Sequence, residues 1–247
     1  MMIRAMSKKL IFSILIMLLT VSVASARKYY VLSVGVGDYP GAEKDLKLPT
    51  ADAKAIASVY KKSVNAQVSV IINEKATAEN VLKKGRELFS KAGESDVVVF
   101  FFSGHGYPGG FVTYDSYIEY AKIKELLASC KAKNKMVFAN ACFSGGLISG
   151  DSTGEAPSLG SNVMLFLSSR EDEYSWENQS MKNDIFTACL IKCLKGAADA
   201  NGDRLITARE LFDAVYKGVV ELSSDRQHPV MRGSFKDNMH VISWKKK

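Results

Sequence analysis

Strands alternating with helices along most of the chain predict an α/β fold built on a mainly parallel sheet. Two apolar runs are its strongest signs. Val97-Val98-Val99-Phe100-Phe101-Phe102 and Met136-Val137-Phe138-Ala139 contain no polar position, as strands buried on both faces do. Each run ends at a reactive residue set near glycines. The first continues as Ser103-Gly104-His105-Gly106 and the second as Asn140-Ala141-Cys142-Phe143-Ser144-Gly145-Gly146. Ligands of open parallel sheets bind beyond the carboxyl ends of the strands. Two such strands pointing the same way bring His105 and Cys142 to one edge, a base beside a nucleophile.

The remaining elements follow in order. Tyr29–Val36 is an apolar first strand. Thr50 starts a helix whose inner face carries Ala53, Ile56, Ala57 and Tyr60. Gln67–Ile72 is a second strand, and Thr77–Lys91 a helix through Val81, Leu82, Leu88 and Phe89. After the third strand, Asp96–Phe102, a Gly-Gly turn at 109–110 opens a small hairpin through Phe111–Tyr114. Ile118–Cys130 is a helix with Ile123, Leu126 and Leu127 on one face, and Lys135–Ala139 is the fourth strand. Gly145–Ser161 is a long Gly- and Ser-rich stretch, the kind of loop that carries function or lacks order. Val163–Leu167 is a fifth strand, Ile185–Leu194 and Ala208–Leu222 are helices, and His240–Trp244 is a last strand.

Composition narrows the function. At 47% hydrophobic and 24% charged, the chain is of ordinary globular make-up. Of the formal net charge of +7, three units come from Arg4, Lys8 and Lys9 in a segment without acids. The rest is too dilute, and too little interleaved with aromatics, for a nucleic-acid surface. The same N-terminal segment runs from a basic start through apolar Leu10–Val23 to Ala24-Ser25-Ala26. This is the pattern of a secretory signal cleaved after Ala26, shorter than the roughly 20 residues of a spanning helix. It predicts a signal peptide at 1–26, one domain at 27–247, no stable membrane anchor after cleavage, and a periplasmic or extracellular location.

Four cysteines in an exported chain raise the question of disulfides. Cys189 and Cys193 sit four apart on one helix, a poor geometry for a bridge. With Cys130 they read as buried small hydrophobes. Only Cys142 has a chemical setting. A thiol is a few per cent thiolate at neutral pH and needs a base. His105 lies between glycines that admit a substrate backbone, and the amides of Gly106 and Cys142 can face an oxyanion. An α/β-hydrolase would need glycines two residues either side of Cys142, where Asn140 and Ser144 stand, and a later histidine. Zinc would need a second ligand at close spacing.

Asp199-Ala200-Asn201-Gly202-Asp203-Arg204-Leu205-Ile206-Thr207-Ala208-Arg209-Glu210 is close to a calcium-binding EF-hand loop, with Asp199, Asn201, Asp203 and Glu210 at ligand positions. Arg204 replaces the turn glycine. Thr207 and Glu210 also form a capping box for the next helix, which explains much of the same pattern. Calcium is thus a candidate ligand of this loop, and no cofactor is required for the dyad's chemistry.

Ser103-Gly104-His105-Gly106, followed thirty-seven residues after the histidine by Cys142-Phe143-Ser144-Gly145, resembles the dyad of the caspase-fold cysteine peptidases, bacterial metacaspase-like members above all. Leu32–Pro40 and Leu48–Ala53 resemble the family's first strand and helix, and Tyr174-Ser175-Trp176-Glu177-Asn178 the segment lining its substrate pocket. The resemblance implies a caspase-like three-layer α/β/α sandwich, with Cys142 as nucleophile, His105 as base and Gly106 in the oxyanion hole. It also implies a substrate pocket formed by Asp52, Ser103, Asn140, Trp176 and Glu177. Caspases that cut after aspartate carry an arginine where Glu177 stands. Relatives that cut after arginine or lysine use acids at positions matching Asp52 and Asn140. The expectation is an endopeptidase acting through a thioester on peptide or protein substrates after Arg or Lys. The competing expectation is a non-catalytic caspase-like binding or scaffold module.

Overall fold

Successive residues of an extended strand face opposite sides of a sheet, so a strand apolar at every position needs cover on both. The structure, a computed structural model describing residues 27–142, 162–170 and 181–244, supplies that cover. The central sheet contains β1 (Tyr29–Gly35), β2 (Ala66–Ile72), β3 (Val97–Ser103), β7 (Asn134–Asn140), β8 (Val163–Leu167) and β10 (Val230–Ser234), in the order β10-β8-β7-β3-β1-β2. All pairings are parallel except that of β10, which closes the edge antiparallel to β8. Between β3 and β7 lie three short strands, β4 (Gly106–Tyr107), β5 (Gly110–Val112) and β6 (Tyr117–Glu119), which form a separate small sheet.

Along β3 the two sides separate residue by residue. Val97, Val99 and Phe101 pack with α1 (Pro49–Ser63), α4 (Ile185–Lys192) and α5 (Ala208–Leu222), through Ile56, Tyr60, Phe186, Leu190, Leu211 and Val215. Val98, Phe100 and Phe102 pack with α2 (Ala78–Phe89) and α3 (Tyr120–Ala128), through Val81, Leu88, Ile123 and Leu126. This is the expected sandwich. Each fully buried Phe contributes about 2–3 kcal/mol of transfer free energy, and the aromatic contacts also fix geometry. Phe111 of β5 stacks on Phe102 at 4.4 Å and meets Tyr120 edge-on at 4.9 Å, so the hairpin that follows His105 is anchored to the sheet.

Several boundaries differ from the sequence expectations. The first helix begins at Pro49, and the Thr50 hydroxyl donates to Asn73 Oδ1 at 2.8 Å instead of capping it. The helix expected from Ile118 starts at Tyr120, because Ile118 pairs with Phe111 in the small sheet. The helix from Ile185 loses α-helical pairing after Lys192 and widens into a π turn, Cys193–Ala197. His240–Ser243 forms a strand, β11, that pairs with β9 (Leu205–Thr207) outside the central sheet. Half-exposed β10, with Arg232 and Gly233 in its middle, has no apolar alternation to announce it. Residues 1–26 and the Gly145–Ser161 loop lie outside the described residues. Among those described, no helix is long and apolar enough to cross a membrane.

Candidate active site

The parallel register of β3 and β7 pairs Ser103 with Asn140. His105 and Cys142 each follow by two residues, so both leave the sheet at the same edge on neighbouring strands. The backbones touch there. Gly104 N–H donates to the Asn140 carbonyl at 3.2 Å, and Gly106 lies so close to the Cys142 carbonyl that a Cβ would collide with it. Glycine at 106 is therefore a steric requirement of bringing the two strand ends together. Ala141, just before Cys142, donates its N–H to Ser168 Oγ at 3.3 Å, and the Ser168 carbonyl accepts from Gln227 Nε2 at 2.9 Å.

His105 is half-buried and held from outside its own strand. Its Nε2 lies 2.7 Å from the Lys44 carbonyl, which can only accept. The ring therefore carries its proton on Nε2, and in the neutral form Nδ1 is the acceptor. Cys142 is half-buried as well, whereas Cys130, Cys189 and Cys193 are buried free thiols. Burial pushes Cys189 and Cys193 up to about 11 and also raises Cys130, which leaves all three unreactive.

Beside His105 and Cys142 lies a buried polar cluster. Asp52 is completely buried in the first turn of α1. Its Oδ2 accepts from Ser103 Oγ at 2.9 Å, Thr187 Oγ1 at 3.1 Å and Asn140 Nδ2 at 3.3 Å. Its Oδ1 accepts from Asn183 Nδ2 at 2.9 Å and the Asp184 amide at 3.1 Å. All five donors are neutral. Burial raises the Asp52 pKa, opposed first by the Asn183 and Ser103 hydrogen bonds. Asn140 is buried too, and its Oδ1 has no partner among the described residues. Turning the amide over would set that oxygen against the Asp52 carboxylate, so the orientation follows from the network.

The caspase-domain family model matches residues 28–240. The chain belongs to the caspase-domain family. That family is one of cysteine-type peptidases that need no cofactor for their chemistry, and the sheet flanked by helices is its fold. Caspase-1 from Spodoptera frugiperda superimposes with a TM-score of 0.67 at 17% identity, over 90% of this chain and 93% of the other. A Geobacter sulfurreducens protein gives 0.64 at 16% identity, over 85% and 94%. At these identities the likeness is one of fold. No curated protein matches the sequence.

Within this caspase domain the structure brings His105, Gly106, Cys142, Asp52, Ser103 and Asn140 into one neighbourhood. Trp176 and Glu177 lie outside the described residues. The oxygens of the 199–210 loop accept from the loop's own backbone. Asp199 accepts from the amides of Gly202 and Arg204, Asn201 from that of Asp203, and Asp203 from that of Leu205. Glu210 accepts from Thr207 in a complete capping box. Among the described residues no three His, Cys, Asp or Glu side chains are gathered to hold a metal ion.

Sequence reasoning missed Asn183 and Thr187, which cradle Asp52, and Tyr39 and the Lys44 carbonyl, which hold His105. Asn183-Asp184 before an apolar helix was a readable N-terminal signal, and Asp184 does cap α4 through the Phe186 amide. Nothing local links it to Asp52.

Proposed function

We propose that the protein is an exported cysteine endopeptidase that cuts after arginine or lysine, with Cys142 as nucleophile and His105 as base. One observation carries the dyad: the Ser103–Asn140 register, with Gly106 packed on the Cys142 carbonyl, sets the two strand ends side by side. His105 Nδ1 takes the Cys142 proton while Nε2–H stays on the Lys44 carbonyl. Sγ bonds to the substrate carbonyl carbon, and the amides of Gly106 and Cys142 receive the oxyanion. The C–N bond then breaks as His105 returns the proton to the leaving amine. Water, deprotonated by His105, cleaves the resulting thioester and releases the acid and the thiol.

The basic preference has its own support. Among the described residues the buried Asp52 carboxylate is held only by neutral donors, which leave its charge uncompensated, and the nearby Asn140 Oδ1 has no donor. An arginine or lysine side chain supplies both a positive charge and N–H donors. Glu177, by its resemblance to the pocket-lining segment, adds to the negative potential. Export rests on the basic, apolar and Ala24-Ser25-Ala26 pattern of residues 1–26.

Matched peptides differing only in the residue before the cut test the preference. Arg and Lys peptides are expected to turn over faster than the Asp peptide. Asp52→Asn is expected to cut kcat/KM for the Arg peptide roughly 10- to 100-fold, the worth of a charge-assisted contact of about 1.5–3 kcal/mol. Faster turnover of the Asp peptide would overturn the assignment.

A further inference from the structure

The loop between β1 and α1 grips His105 at three points. Tyr39, 5% exposed, places its hydroxyl 2.9 Å from the His105 amide, which donates to it. The same hydroxyl donates to the Val112 carbonyl at 3.3 Å, so it is engaged on both sides. The phenol ring lies against the imidazole at 4.9 Å between centroids, tilted by 43°. From the far end of the loop, the Lys44 carbonyl takes the Nε2 proton.

The loop is itself tied down. The Tyr39 amide donates to Asp45 Oδ1 at 2.9 Å, and Leu46 N–H to the Gly37 carbonyl at 2.8 Å. Asn73 Oδ1 accepts from the Gly37 amide at 3.2 Å. The strand end is shaped to match, since a Cβ on Gly104 would stand 2.8 Å from the Tyr39 hydroxyl. Burial also raises the Tyr39 pKa well above its ordinary value, so the hydroxyl remains a donor across neutral pH.

We propose that Tyr39 is a positioning residue for the general base: with the Lys44 carbonyl it fixes the backbone, ring plane and tautomer of His105. Tyr39 touches His105 and Val112 and none of the Asp52 cluster among the contacts described, so its effect belongs to the chemical step. A base displaced by about 1 Å can lose up to 100-fold in rate. The inference rests on the peptidase reading above for its kinetic part, and on the fold alone for its spectroscopic part.

The test uses Tyr39→Phe, which removes only the hydroxyl, and Tyr39→Leu, which removes the ring as well. For Tyr39→Phe, kcat is expected to fall roughly 10- to 100-fold with KM within about 2-fold, and for Tyr39→Leu to fall further. The chain has three histidines, so histidine-selective labelling gives a simple NMR spectrum in which His105→Ala identifies the His105 signals. The His105 amide signal should move in Tyr39→Phe, and its ring signals should lose the tyrosine ring-current shift in Tyr39→Leu. The signals of His228 and His240 should stay in place.

Parent-like kcat together with unmoved His105 signals would overturn the proposal. So would equal losses in kcat and kcat/KM matched by a lower melting temperature with the His105 signals unmoved, which marks a purely structural residue. If the parent itself turns over no peptide, the peptidase reading fails, and the histidine spectra still decide whether Tyr39 holds the ring.

Discussion

Asp52 is a carboxylate whose two oxygens accept five hydrogen bonds from the described residues, none of them from a cation. Such a group is costly to bury, and its direction of titration shows it. The folded pKa lies above the ordinary value of about 3.9 because burial disfavours the charged form. The contribution to stability is therefore fully present below the ordinary value and lost as pH rises through the folded one. Over that window the melting temperature of Asp52→Asn should rise relative to that of the parent as pH increases; a constant difference would show that Asp52 pays no burial cost. Asp52, Ser103 and Asn140 were legible because each adjoins a motif. Asn183 was not, since it lies 131 residues from Asp52 and only the folded sheet joins them. Tyr39 was read as part of the first-strand segment, with no sign that its hydroxyl reaches the strand end bearing His105.

At the scale of elements, the long apolar runs and strongly periodic helices were readable, and the shortest strands only in part. Val163–Leu167 and Ala208–Leu222 match their expected limits. The Gly-Gly turn announced the hairpin around β5, whereas β4, β6 and β9 are two or three residues long and hold too little pattern to reveal them. The 199–210 loop shows how one pattern serves two chemistries. Arg204 adopts the positive φ of 67° that glycine ordinarily supplies, while the loop's carboxylates cap backbone amides. Glu210 completes the capping box of α5. Glu210→Ala should lower stability by about 1–2 kcal/mol, seen as a reduced urea midpoint at unchanged slope. An unchanged midpoint would mean that the capping box contributes nothing.

On the scale of the whole molecule, the sheet order brings distant segments to one edge and also joins the two ends of the described chain. The Tyr29 hydroxyl and His240 Nε2 lie 3.2 Å apart, linking β1 to the β9–β11 ribbon across 211 residues of sequence. Burial, then the Arg27 charge, lowers the His240 pKa to about 4. A depressed histidine pKa gives stability that is present above the ordinary value of 6.5 and lost as pH falls through the folded value. The parent should lose melting temperature between about pH 6.5 and 4, and His240→Gln should lose less over the same interval. Identical acid slopes would assign the loss to other groups.

The arrangement of sheet, hairpin and loop converges on Cys142, the one cysteine outside the buried set. Incubation under reducing conditions with an electrophilic peptide ending in arginine, followed by intact mass and peptide mapping, tests that convergence most directly. The parent should gain one adduct, located on Cys142, and Cys142→Ala should gain none, with Cys130, Cys189 and Cys193 unmodified in both. An unlabelled parent, or a Cys142→Ala variant labelled as fast as the parent, would contradict a nucleophile at Cys142.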